Sequence, residues 1–459
     1  MRIHCLKVVS IISLFATIPT INGDEAFPFF DGTDADTKVL MQNAQDRIEQ
    51  VRKSDFQITL KDERGKPIRK EVVIELQRHD FDFGANLFGF EKLSDSDPAK
   101  QVSLKAIEET FNTLIVCDYW HANQKSPDAK LNWRTPDSHY EIAARLGKKP
   151  RHHALMFGYP RWFHKFETEE ELWKIIEDRI KNVATRYPNI PEADVINEFV
   201  NYQYWDQNPH AKYLKSTNFP NFAIPENGER ILELTRKHMP NTKLVVLETN
   251  LWNVENPVFQ EIFDYHWSLI QKGVDYDYIG YQAHYYALKN VPFQKGTKEW
   301  GPRTFMMDGI NRGLEQMAQL GKPIVITEFN PPSRSNKNSN PDQPRLTDEE
   351  IASWEANYYT LIFSKPYIHG LSRWFTIDNL GGRGMDAGIV TESGQLKPNY
   401  YALKNLIKEK WHTRLEAKPD KEGKIAFRGF NGTYTIKPKG REGLSLQLNR
   451  HDKTETIRF

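Results

Sequence analysis

The chain has 459 residues, of which 39% are hydrophobic and 27% charged. That excludes a disordered protein and leaves room for one large barrel of roughly 250 residues or more with accessory segments. The formal net charge of +1 carries no electrostatic footprint for nucleic acid or an anionic membrane surface.

Residues 1–23 open with Arg2 and Lys7, continue as an apolar run over 8–18 and end in small or polar residues at Gly23. This pattern predicts a secretory signal peptide, because the run is too short to span a bilayer; an uncleaved anchor is the alternative. Cleavage would leave Cys117 as the one cysteine, so no internal disulfide is expected. Residues 24–78 read as a helix and a small β lead-in. Val39, Leu40, Ala44, Ile48 and Val51 recur at helical spacing, and Phe56, Ile58 and Leu60 alternate with polar residues. A turn follows, then a second strand with Val72, Val73, Ile74 and Leu76.

Over residues 79–412 short apolar runs recur at 81–87, 113–117, 152–157, 193–197, 243–248, 278–285, 323–329 and 371–377, with helical patterns between most of them. Eight β segments alternating with helices predict an α/β fold, a (β/α)8 TIM barrel. A doubly wound open sheet is the competitor, but the Gly-rich phosphate loop expected after its first strand is missing. Residues 413–459, with strands between glycine turns, are expected to form a small C-terminal β appendage.

Barrel active sites lie at the C-terminal ends of the strands. The residues standing there are His152 and His153 on the third strand, Asn197 and Glu198 on the fourth and Glu248 on the fifth. Gln282 and His284 follow on the sixth, Glu328 on the seventh, and Trp374 and Asp378 on the eighth. Glutamates ending the fourth and seventh strands can approach across the barrel mouth. One protonated and one ionised carboxyl are the equipment for cleaving a glycosidic bond. The bland alternative for each is a structural carboxylate paired with a cation. Neighbouring strand residues point oppositely, so only one of His152 and His153 can face the axis.

The same stretches resemble glycoside hydrolase family 10, mainly endo-β-1,4-xylanases. Residues 194–201 (DVINEFVN) are similar to that family's acid/base motif, usually Trp-Asp-Val-Val-Asn-Glu. Residues 325–330 (VITEFN) are similar to its nucleophile motif, Ile-Thr-Glu-Leu-Asp. The stretches around His153, Gln282 with His284, and the closing helix also match, in order, over roughly residues 50–412. The resemblance implies Glu198 as acid/base and Glu328 as nucleophile, with retention of anomeric configuration, for which carboxyl groups about 5–5.5 Å apart are needed. It implies sugar or nucleophile contacts from Asn197, His153, Gln282 and His284, and a platform for the −1 sugar from Trp374. It departs after the second strand, where the family's Glu-Asn-x-x-Lys becomes Cys117-Asp118-Tyr119-Trp120-His121. There Trp120 and His121, beside Tyr119, are candidates for a substitute −2 surface, so that a decorated or related β-glycan becomes as plausible a substrate as plain xylan. Glu248 is a substrate contact or an ion-pair partner. No cluster has convincing metal-ligand spacing, and no cofactor is expected. A polysaccharide is the expected partner, with neither nucleic acid nor stable membrane insertion. A non-catalytic carbohydrate-binding barrel and a metal-dependent barrel hydrolase are the competing functions.

Overall fold

The computed structural model describes residues 35–157, 159–200, 225–249, 254, 257–285, 307–332, 347–380, 385–451 and 453–459. The expected signal peptide lies outside them. Helix α1 (Ala35–Val51) leads into β1 (Lys53–Lys61) and β2 (Val72–His79). Eight strands then close a barrel: β3 (Asp82–Asn86), β4 (Thr113–Cys117), β5 (Lys149–Met156), β6 (Glu192–Asn197), β7 (Lys243–Glu248), β8 (Tyr278–His284), β9 (Ile324–Asn330) and β10 (Ile368–Arg373). They follow one another around the ring, all parallel, with β10 beside β3. This is a (β/α)8 TIM barrel.

The strand runs are apolar without alternation because both faces are covered; every residue of β4, β6 and β9 is buried. Helices α2 (Pro98–Thr110), α3 (Trp120–Asn123), α4 (Arg134–Arg145), α5 (Glu169–Arg186), α6 (Pro225–His238), α7 (Pro257–Gln271), α8 (Met307–Ala318), α9 (Asp348–Phe363) and α10 (Pro398–Lys404) lie between or after the strands. Their starts are written locally. Asp97 caps α2 ahead of Pro98, and Thr347 and Glu350 form a reciprocal capping box on α9.

The eighth barrel strand lies three residues earlier than the aromatic run suggested. It ends at Arg373, and Trp374 and Phe375 turn instead into a small cluster with Ile115, Met385 and Ala387. The Trp374 backbone N–H still donates to the Phe329 carbonyl at 2.8 Å, so the chain at 374 is anchored beside the end of β9.

The two ends of the chain pair with each other. Strand β1 lies between β12 (Lys424–Phe430) and β15 (Thr454–Arg458). Strand β2 lies between β11 (Arg414–Ala417) and β13 (Gly432–Pro438), and β13 carries β14 (Leu444–Leu448) on its other edge. The sheets meet through Phe56 and Tyr434, ring centroids 6.1 Å apart. Arg52, between α1 and β1, ties this unit to the barrel. Its guanidinium donates to the carbonyls of Phe363, Lys365 and Ile368 at 2.7, 2.6 and 2.8 Å. A cation at the C-terminus of α9 also suits the helix dipole.

Candidate active site at the barrel mouth

Glu328 stands near the end of β9, 3% exposed. Its two oxygens are treated differently. Oε2 accepts from His284 Nε2 at 3.0 Å, whereas Oε1 has no hydrogen bond among the described residues and lies 3.8 Å from His153 Nε2. Each histidine is oriented from behind. His153 Nδ1 lies 2.7 Å from Asp194 Oδ2, and Arg151 Nε is 3.6 Å from the same carboxylate. His284 Nδ1 accepts from the Asn330 amide at 2.9 Å, and Asn330 Oδ1 accepts from the Phe375 N–H at 3.0 Å. That backbone donor decides which way the amide points. With Nδ1 facing the amide N–H, Nε2 is the ring nitrogen that donates to Glu328.

Glu198 lies just past β6, half-buried. Its N–H donates to the Leu247 carbonyl at 2.9 Å, and its φ is +58°. Few residues other than glycine adopt that conformation. The Gln282 amide nitrogen donates to Glu198 Oε1 at 3.1 Å and to Asn197 Oδ1 at 2.8 Å. One amide from β8 thus sets both Asn197 and Glu198. Trp374, 7% exposed, presents its indole near His153 and His284, at 5.0 and 6.1 Å between ring centroids and nearly perpendicular to both.

Seven barrel-mouth side chains therefore gather from five strands: His153, Asn197, Glu198, Gln282, His284, Glu328 and Trp374. Residues 82–405 match the family model described as glycosyl hydrolase family 10. The chain belongs to this family. Among curated relatives it is 24% identical over 428 residues to the anti-sigma-I factor RsgI6 of Acetivibrio thermocellus, covering 90% of this chain and 49% of that one. It is 24% identical over 263 residues to endo-1,4-beta-xylanase 5 of Arabidopsis thaliana, covering 55% and 41%. The chain thus spans about half or less of the curated relatives it matches. Xylanase 10B from Thermotoga petrophila, solved with xylobiose, shares the fold at TM-score 0.53 and 21% identity, over 81% of this chain and 97% of that one.

Within this family 10 frame, one candidate residue falls differently. Trp120 does not face the cleft. It is 0% exposed, its indole N–H donates to Gln124 Oε1 at 2.7 Å, and it packs against Trp162 and Phe163. The physical reason is α3: a single helical turn swings Trp120 inward while leaving Tyr119 and His121 half-buried side by side, with ring centroids 6.1 Å apart. The expectation that Trp120 touches sugar is corrected accordingly. His121 remains beside Tyr119, which meets the edge of His153 at 5.8 Å.

The other histidine of the pair, His152, turns outward. Its Nε2 lies 3.2 Å from Asp118 Oδ2, and Tyr140 Oη is 3.2 Å from its Nδ1. Burial opposes ionisation of Asp118, but Arg179 at 2.9 Å and His152 prevail and hold its carboxyl well below the usual range. Asp118 is therefore a wall-building anion, and no amide stands in its place to meet a sugar. Glu248 accepts from the Val200 N–H at 2.7 Å, pinning the backbone just beyond Glu198. Asp194 and Asn330 were not singled out from sequence, although both lie inside the motif stretches. Phe88, which meets Tyr119 at 6.0 Å, also went unmarked, because an isolated aromatic near a strand end reads as core; Phe157, where the family has Trp, lies 5.7 Å from Tyr119 on its other side. Among the described residues no group of acids, histidines and cysteines could hold a metal ion, and no helix is long and apolar enough to cross a membrane.

Proposed function

We propose that the protein is an exported, retaining endo-glycoside hydrolase acting on β-1,4-xylan or a related decorated β-glycan. Glu198 is the acid/base and Glu328 the nucleophile of a double displacement. The observation that carries this reading is the asymmetry of Glu328. One oxygen is anchored by His284 and the other has no hydrogen bond among the described residues, as in-line attack on an anomeric carbon needs. In the first step, Glu328 Oε1 bonds to the anomeric carbon while the glycosidic bond breaks, and the Glu198 proton passes to the departing oxygen. In the second, Glu198 takes a proton from water, whose oxygen displaces Glu328. Gln282 orients the acid, and Asn197 supplies an amide for the 2-hydroxyl of the −1 sugar. Relatives named as endo-1,4-beta-xylanases support a xylan-type backbone. The signal-like residues 1–23 support export.

Activity of purified enzyme on a polysaccharide panel, with product sizing, tests the reading. Glu328→Ala is expected to abolish turnover. Glu198→Ala is expected to retain activity on aryl glycosides with good leaving groups and to regain rate with azide, because the acid matters least there. Substantial activity in Glu328→Ala would overturn the assignment. Chelator should leave the rate unchanged, and metal-restored activity after chelation would favour a metal hydrolase.

A further inference from the structure

The turn that carries Glu198 is held from the neighbouring strand. Glu198 follows β6 directly, and its N–H donates to the carbonyl of Leu247 on β7 at 2.9 Å. Past it, the Val200 N–H donates to Oε1 of Glu248, the last residue of β7, at 2.7 Å. The acceptors are consecutive residues of β7, so both ends of the turn 198–200 are fastened to one strand end. At its start Glu198 sits at φ +58°, a conformation that persists only where the surroundings fix it.

The ladder between β6 and β7 ends at Asn197 and Leu247, so the Val200 N–H lies beyond it and takes a side-chain acceptor. Phe199 and Val200 are 0% and 5% exposed. A Val200 N–H that lost its acceptor would have no water to turn to, and an unmet buried donor is unfavourable. The turn would shift toward another acceptor and carry Glu198 with it. Glu248 is itself 0% exposed, so it reaches no substrate. Its bond to Val200 is charge-assisted, a class roughly twice as strong as a neutral pair. Gln282 orients the Glu198 carboxyl from β8, and Glu248 holds the main chain beneath it from β7.

We propose that Glu248 is a positioning residue for the acid: through the Val200 N–H it sets where the Glu198 carboxyl stands over the glycosidic oxygen. This rests on the hydrolase reading above and goes beyond it by naming what places the acid. The test is kcat/KM, which reports the first displacement, on two aryl β-xylobiosides. One has 2,4-dinitrophenol as leaving group, which departs without a proton, and the other has phenol, which needs one. The ratio of the two values does not depend on how much of a preparation is folded, and a merely structural loss lowers both alike. Glu248→Ala is expected to lower the phenyl-to-dinitrophenyl ratio about tenfold, part of the roughly 10²–10⁴ that a well-placed acid supplies. Glu248→Gln keeps a carbonyl for Val200, neutral and therefore weaker, so its ratio is expected to fall between Glu248→Ala and wild type. It reads the ratio alone should the first variant fail to fold. A ratio unchanged from wild type, or one as low in Glu248→Gln as in Glu248→Ala, overturns the positioning role. Glu198→Ala separates the two readings. If it lowers the ratio and the Glu248 variants do not, the acid stands and Glu248 falls. If it leaves the ratio unchanged, the acid assignment itself is overturned.

Discussion

The side-chain amide of Asn330 donates to His284 Nδ1 at 2.9 Å, and His284 Nε2 passes a hydrogen bond to Glu328 at 3.0 Å. A neutral amide, rather than a carboxylate, thus holds from behind the histidine that meets Glu328. An aspartate at 330 would accept from Nδ1–H instead, favouring an imidazolium next to Glu328. An adjacent positive charge favours an ionised carboxylate. Asn330→Asp should therefore move the acid limb of the kcat/KM profile to lower pH, while Asn330→Ala should lower kcat roughly five- to tenfold through one lost hydrogen bond. The pH profile of the aspartate variant checks this. An unmoved acid limb would show that residue 330 does not set the charge of His284.

Glu198 adopts a left-handed backbone conformation at φ +58°, which costs an L-residue roughly 1–2 kcal/mol. Glycine pays no such steric cost but loses more backbone entropy on folding. The expected result is that Glu198→Gly is about 1 kcal/mol more stable than Glu198→Ala, both lacking the carboxyl group. Urea unfolding measures the difference. Two curves that superimpose would mean that the turn after β6 stores no strain.

Acid stability should depend on histidines far from the cleft. Burial, together with Lys408, lowers the His79 imidazole from 6.5 to about 3. Burial and Lys322 do the same to His266, also to about 3. Each ring stays neutral in the folded protein while the unfolded chain binds a proton below pH 6.5. Stability is thus fully present above pH 6.5 and falls as pH drops toward 3, by about 1.4 kcal/mol per pH unit for each histidine. His266→Phe should reduce the slope of unfolding free energy against pH in this window by one proton. The slope answers the question even if the substitution changes stability at neutral pH. A slope identical to wild type would exclude His266 from the acid response.

Much of this protein is written locally. Continuous apolar runs announce strands buried on both faces, and the charged amphipathic stretches between them announce helices, so the barrel follows from periodicity alone. Glutamates ending such runs, Glu198 and Glu328, stand out because a carboxylate at the end of a core strand needs a reason. The tertiary structure decided what depends on partners distant in the chain. Which of two adjacent histidines lies near Glu328 goes with their partners, Asp194 for His153 and Asp118 for His152. One helical turn decided that Trp120 is core while Tyr119 borders the cleft. The small sheets at the two ends became partners because strand pairing is a long-range choice that local composition does not encode: β1 finds β12 and β15 some 370 to 400 residues away. The direction of the hydrogen bonds leading to Glu328 likewise rests on the Phe375 backbone N–H, arriving from the next strand's end. Residue type alone lists the donors and acceptors, and only their placement in three dimensions says which of them meet.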